Sequence, residues 1–158
     1  MKKEQIMDFT RRISQCNRGG LVIVIYDIFF AYIEDAREAY DKNEWQNYKM
    51  ALRNASKAVS ELISALDFSY ELAGELYRIY VFCRETLAKA IYKRDLEEIK
   101  LAESLMRNLY TAFAEVVSED TSAPLMRNTQ QVYAGYTYGK NDLVETYQDL
   151  DTSRGFLV

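Results

Sequence analysis

The sequence predicts an all-α protein: an antiparallel up-down-up-down four-helix bundle over residues 19–120, with an N-terminal cap segment at 1–18 and an irregular, aromatic-rich C-terminal tail at 121–158. Three observations carry this expectation. Glycine and proline gather at the ends (Gly19, Gly20, Pro124, Gly135, Gly139, Gly155), leaving only Gly74 between them. Each would cost a helix interior roughly 1 kcal/mol for glycine and 3 for proline, so a long stretch nearly free of both favours helices joined by short turns. Within that stretch apolar residues recur every three or four positions, the spacing of one helix face. The composition, 49% hydrophobic and 28% charged over 158 residues, supplies one core without help from metals or disulfides.

The cap segment carries Ile6, Phe9 and Ile13 at i, i+3, i+7, as an amphipathic cap needs; a short helix permanently packed on the bundle is the equal alternative. The first bundle helix, over about 21–42, is apolar in nearly every direction, from Leu21 and Val22 through Ile25, Tyr26 and Phe29 to Ile33, and so must touch neighbours on all sides. The second, over 44–66, has one clean stripe: Tyr48, Leu52, Ala55, Val59, Leu62, Leu66. Asn43 with Gln46 offers it a weak start signal.

The third helix, over 70–94, places Leu72, Leu76, Ile79, Cys83, Leu87 and Ala90 on its core stripe, while Tyr77, Tyr80, Val81 and Phe82 widen the apolar surface beyond one face. The fourth, over 96–118, repeats the pattern with Ile99, Ala102, Met106, Leu109, Phe113 and Val116, and Asp95 followed by Glu98 is close to a capping box. Turns of two to four residues fold such helices back antiparallel. Beyond residue 120 the helical period is lost, yet Tyr133, Tyr136, Tyr138 and Tyr147 load the tail with more aromatic surface than a solvated spacer carries.

Composition removes most chemistry. With no histidine, the commonest general base and transition-metal ligand is missing, and the Glu-x-x-His pairs of a di-iron bundle cannot form. No phosphate-cradling glycine loop or nucleophile elbow is present. Cys16 and Cys83 form no C-x-x-C pair, and Cys83 reads as inert packing. Acidic groups such as Glu34-Asp35-Glu38 fall on polar faces. The net charge of −4 and pI near 5.0, without a basic cluster, argue against nucleic acid. The run at 21–33 contains Asp27 and is too short to cross a bilayer, and no secretory signal precedes it, so a cytoplasmic, non-enzymatic protein without cofactor or metal is expected.

Four short boxes follow one another at near-constant spacing: Ile25-Tyr26-Asp27 in the first helix, Ala65-Leu66-Asp67 closing the second, Leu76, Ile79 and Tyr80 in the third, then a turn with Asp95 and a last helix whose final aromatic is Phe113. In that order, from residue 20 to about 117, the chain resembles the FliS family of flagellin-export chaperones. It departs from the family's pattern at Ile28, where glycine is usual, at Asn17-Arg18-Gly19, where a Ser-Pro type start is usual, and at Phe113, where tryptophan is usual.

The resemblance implies a four-helix bundle that binds the disordered C-terminal segment of flagellin in apolar helix–helix grooves, keeps it from polymerising early and aids its type III export. It points to Leu21, Ile25, Tyr26, Asp27, Phe29, Leu66, Leu76, Tyr77, Tyr80 and Phe113 as contact residues, and to Ile6, Phe9 and Ile13 as a cap over the groove. Tyr133, Tyr136 and Tyr138 would act as a pseudo-ligand or recruit another flagellar assembly or export component. Nucleic acid and membrane insertion are not implied, and a homodimer is left open. The competing expectation is a non-catalytic helical scaffold or oligomerisation module, in which the same apolar residues are simply buried.

Overall fold

The structure, a computed structural model, describes residues 1–126. Within them the chain is all-helical: α1 (Lys3–Gln15), α2 (Arg18–Asp41), α3 (Trp45–Ser64), α4 (Glu71–Lys93), a 3-10 turn at Glu97–Ile99 and α5 (Lys100–Ser118), with no strand among the described residues. The tail tyrosines Tyr133, Tyr136 and Tyr138 lie outside them.

The first departure from the sequence reading is at Gly19-Gly20, which lie inside the first turn of α2 rather than breaking the chain before it. Asn17 caps the helix, its Oδ1 accepting the Gly20 N–H at 2.8 Å. Glycine is required there by close approach. A Cβ on Gly19 would stand 2.8 Å from Val117 Cγ2, and one on Gly20 would stand 2.9 Å from Cys16 Cβ.

The start signals expected for the later helices are also used differently. Asn43 adopts a left-handed backbone (φ 57°) and makes the turn between α2 and α3, a conformation asparagine tolerates well. Asp95 accepts the Glu97 N–H at 2.9 Å and opens the 3-10 turn, while the Glu98 carboxylate pairs with Lys93 instead of reaching back to the backbone, so α5 begins only at Lys100. Arg94 ends α4 in the left-handed region (φ 54°), and its guanidinium lies over the Trp45 ring. At the α3–α4 turn, Asp67 accepts the Ser69 N–H at 2.9 Å, and the Ser69 hydroxyl together with that N–H holds its carboxyl below the ordinary value.

α2 packs on α3, α3 on α4, α4 on α5 and α5 back on α2, and α1 lies on α2. The all-round apolar sequence of α2 is thereby explained: it has neighbours on three sides. Late α2 meets early α5 through Arg37 and Glu103, and early α2 meets late α5 through Tyr26 and Phe113, ring centroids 6.0 Å apart. Early α3 meets late α4, where the Tyr48 hydroxyl donates to the Ala90 carbonyl at 2.9 Å.

The interior is alanine-lined and tyrosine-filled. Ala36, Ala55, Ala58 and Ala90 let the helices approach, and Tyr26, Tyr48 and Tyr80 are its largest buried side chains. A buried phenol needs a partner. Tyr26 and Tyr80 supply each other, their oxygens 2.7 Å apart. Burial pushes both phenols above their ordinary value, and raises Tyr48 to about 12.

Candidate functional site

Two apolar surfaces of this fold are candidates for binding: one covered by α1, the other open. On the covered side, Val24, Asp27, Ile28 and Ala31 stand at i, i+3, i+4 and i+7 along α2, one face of the helix. Val24 is 2% exposed yet lies outside the core cluster, and the cover comes from α1. Arg12 of α1 holds Asp27 through Nη2 to Oδ2 at 2.5 Å. Tyr110 of α5 stands beside the same carboxylate, and burial followed by that charge raises its phenol. Of the cap residues, Phe9 and Ile13 are partly buried, whereas Ile6, on the same face of α1, is 51% exposed.

The contact residues expected from the sequence separate by depth. Tyr26, Phe29, Leu76 and Tyr80 are buried in the bundle interior. Leu21, Ile25, Asp27, Leu66 and Phe113 are partly buried, and Tyr77 is exposed, its ring edge-on to Phe68 at 5.9 Å. Leu66, Leu76 and Phe113 come together in an open cleft of about 220 Å³, which Val22, Tyr70 and Leu72 complete. Leu21, Ile25 and Asp27 lie on α2, away from it.

The open surface runs on from this cleft between α4 and α5, the most sparsely packed adjacent pair of the four long helices. Cys83 marks the side of α4 next to α5, its thiol directed at the Ala102 carbonyl. At 100° per residue, Leu72 and Ile79 fall within about 40° of Cys83, and Phe82 lies about 100° round the helix, at the outer edge of that side. On α5, Glu103, Arg107 and Tyr110 turn toward α2, where they meet Arg37 and Phe30. Leu101, Leu105, Leu109, Ala112 and Val116 therefore occupy the flank toward α4.

Leu72, counted on the core stripe from sequence, is 59% exposed, and Val116 is 68% exposed. Both are corrections with one cause: α4 and α5 stand too far apart to enclose residues at their shared edge. Phe82 and Leu101 are exposed as well, and Ile79, Leu105 and Leu109 only partly covered. Leu101, Leu105 and Ala112 were missed because they lie beside the core stripe. The legible signal was a second apolar row (101, 105, 109, 112, 116) next to the first.

No catalytic constellation accompanies these surfaces. Cys83 is wholly buried, and burial pushes its thiol up to about 12. Among the described residues no helix is long and apolar enough to cross a membrane. Compared with known proteins, residues 2–120 match the family model described as Flagellar protein FliS. No curated protein matches the chain.

Proposed function

The chain belongs to the FliS family of flagellar proteins, and we propose that it is a cytoplasmic, non-catalytic export chaperone for flagellin. It binds the disordered C-terminal segment of flagellin as amphipathic helices laid in apolar grooves, prevents premature polymerisation and aids type III export. The fold proposed for this task is an antiparallel up-down-up-down bundle over 19–120, with a cap at 1–18 and a separate tail at 121–158. The short connections and the early-to-late pairings of α2 with α5 and of α3 with α4 support that topology.

The single observation that carries the reading is the apolar strip left uncovered between α4 and α5, continuous with the cleft at Leu66 and Phe113. Exposed leucine, phenylalanine and valine at one edge of a well-packed bundle mark a surface completed by another chain. Burying each leucine-sized anchor contributes roughly 1.5–3 kcal/mol, whereas ordering a disordered segment costs about 2–5 kcal/mol or more. Several anchors are needed, and a strip running the length of two helices provides them.

Within this reading Leu66, Leu76 and Phe113 contact flagellin directly at the cleft, and exposed Tyr77 contacts it from beside Phe68. Tyr26, Phe29 and Tyr80 hold the groove walls in place from inside. Leu21, Ile25 and Asp27 border the surface under α1, which is reached when the Arg12–Asp27 pair opens.

Co-purification with a flagellin, and with the same flagellin lacking its C-terminal segment, tests the proposal. Capture of the intact form alone is expected; equal capture of both, or of neither, would overturn it. Phe82→Asp combined with Leu101→Asp, both on the exposed strip, should weaken capture at least about tenfold without lowering the melting temperature.

A further inference from the structure

The helix that covers the α2 face is hinged on two residues. Only Cys16 and Asn17 separate α1 from α2, and both hold extended backbone, Cys16 at ψ 154° and Asn17 at φ −79°. Any swing of α1 off Val24, Asp27 and Ile28 must turn on these torsions, because the hydrogen-bonded helices on either side move as rigid bodies.

Both hinge residues are held from the far end of the helical unit. After α5 ends at Ser118 the chain returns to the α1–α2 junction, where the Leu125 N–H donates to the Cys16 carbonyl at 3.0 Å. There the Ser122 hydroxyl also accepts from Asn17 Nδ2 at 3.1 Å, across 105 positions of sequence. Turning ψ of Cys16 carries its carbonyl oxygen away from Leu125, so the first bond fixes the torsion on which α1 would swing. The second takes the nitrogen of an amide whose oxygen already caps α2 at Gly20. The returning segment is itself shaped: Asp120 accepts the Ser122 N–H at 2.9 Å, and the bare Gly19 lets Val117 and the Asp120 carboxylate come close. The Leu125 side chain is 54% exposed, so polar contacts rather than apolar burial keep the segment in place, and it separates readily.

We infer that residues 119–125 are a strap that locks the α1–α2 hinge: α1 stays down on α2 while the strap is seated and is freed when the strap leaves. Seating and closure form one coupled equilibrium, in which each favours the other by the same factor. Access to the face under α1 is thereby governed from the point where the chain leaves the bundle, and not by the Arg12–Asp27 pair alone. The lock acts in the same way whatever that face receives, so it stands apart from the chaperone reading.

Hydrogen exchange of the full chain, read amide by amide, tests this. A helix of 13 residues is marginal by itself, so the amides of α1 exchange when it leaves α2. Ser122→Ala with Leu125→Pro removes one acceptor and one donor of the strap, both at exposed positions. Exchange at Phe9 to Arg12 should quicken about fivefold or more, with Leu21 to Val24 in α2 and the amides of α3 unchanged. In the reverse direction, Phe9→Asp with Ile13→Asp unseats α1 without touching the core cluster, and should quicken exchange of the Leu125 N–H by a similar factor. Unchanged exchange at Phe9 to Arg12 in the strap variant overturns the inference. So does quickening at Leu21 to Val24 equal to that in α1, since the segment would then only close the end of α5 onto α2. A Leu125 N–H indifferent to the unseating of α1 overturns it as well.

Discussion

Removing one phenolic oxygen from the bundle interior should cost far more than removing two. Tyr26 and Tyr80 stand in two of the short boxes that suggested binding, yet they are 0% and 2% exposed and their hydroxyls meet at 2.7 Å. Tyr80→Phe keeps the ring and its packing but leaves the Tyr26 hydroxyl buried without a partner. A stranded buried hydroxyl costs about 1–3 kcal/mol, whereas replacing both members of a pair by apolar groups is nearly neutral. Each single variant should therefore lose about 1–3 kcal/mol. For a folded unit of this size that lowers the melting temperature by roughly 3–10 °C. Tyr26→Phe/Tyr80→Phe should recover most of the loss, so the coupling in the double-mutant cycle approaches the sum of the two single losses, about 2 kcal/mol or more. Thermal and urea unfolding followed by circular dichroism supply the four stabilities, and flagellin capture is measured in parallel. Additive losses would refute the argument, as would an unchanged melting temperature combined with weakened capture, since the hydroxyls would then face the client rather than each other.

Three further outcomes are expected. Gly19→Ala should destabilise by about 1 kcal/mol or more, because its Cβ would stand 2.8 Å from Val117 Cγ2, whereas Gly74→Ala, with open space around the new methyl, should stabilise by about 0.5–1 kcal/mol; melting temperatures of the two variants moving in the same direction would contradict this. Glu103→Gln removes a nearly buried charge that pairs with both Arg37 and Arg107, and should cost about 1–2 kcal/mol in urea unfolding. Burial raises Cys83 and Tyr48 to about 12, so the unfolded chain ionises first, at the ordinary values of 9.0 and 10.0. Their stabilisation is complete below pH 9 and declines from there toward pH 12, and a urea midpoint that stays constant between pH 9 and 11 would be inconsistent with it.

The helix-forming stretches were legible because every one carries a stripe at helical spacing, and the second was read to within two residues of α3. The faces of the stripes were less legible. Periodicity reports which residues share a side, not how closely the neighbouring helix approaches. Leu72 and Val116 follow the core spacing as well as Leu87 and Met106 do, but the gap between α4 and α5 leaves the first two in solvent. The same limit applies to the aromatic boxes, in which Tyr26, Phe29 and Tyr80 are interior while Tyr77, one turn away, is exposed. Glycine at Gly19 and Gly20 signalled a break by its backbone cost, when the deciding term was the distance to Val117, a residue nearly a hundred positions later. The Arg12–Asp27 pair was equally invisible, since nothing local ties an arginine in one helix to a carboxylate in the next.

The uneven tightness of the ring of helices has a consequence for motion. α2, α3 and α4 are joined in sequence and packed along their lengths, but α5 closes back on α2 through contacts such as Arg37 with Glu103, 66 residues apart, and grips α4 only sparsely. Opening free energies within a protein track buried contact density. Amide protons of α5 should exchange with deuterium soonest among the four long helices, and those of α2 and α3 last. A stave that breathes while its neighbours stay shut lets the gap adjust its width to side chains of different bulk, so the bundle can grip without first coming apart.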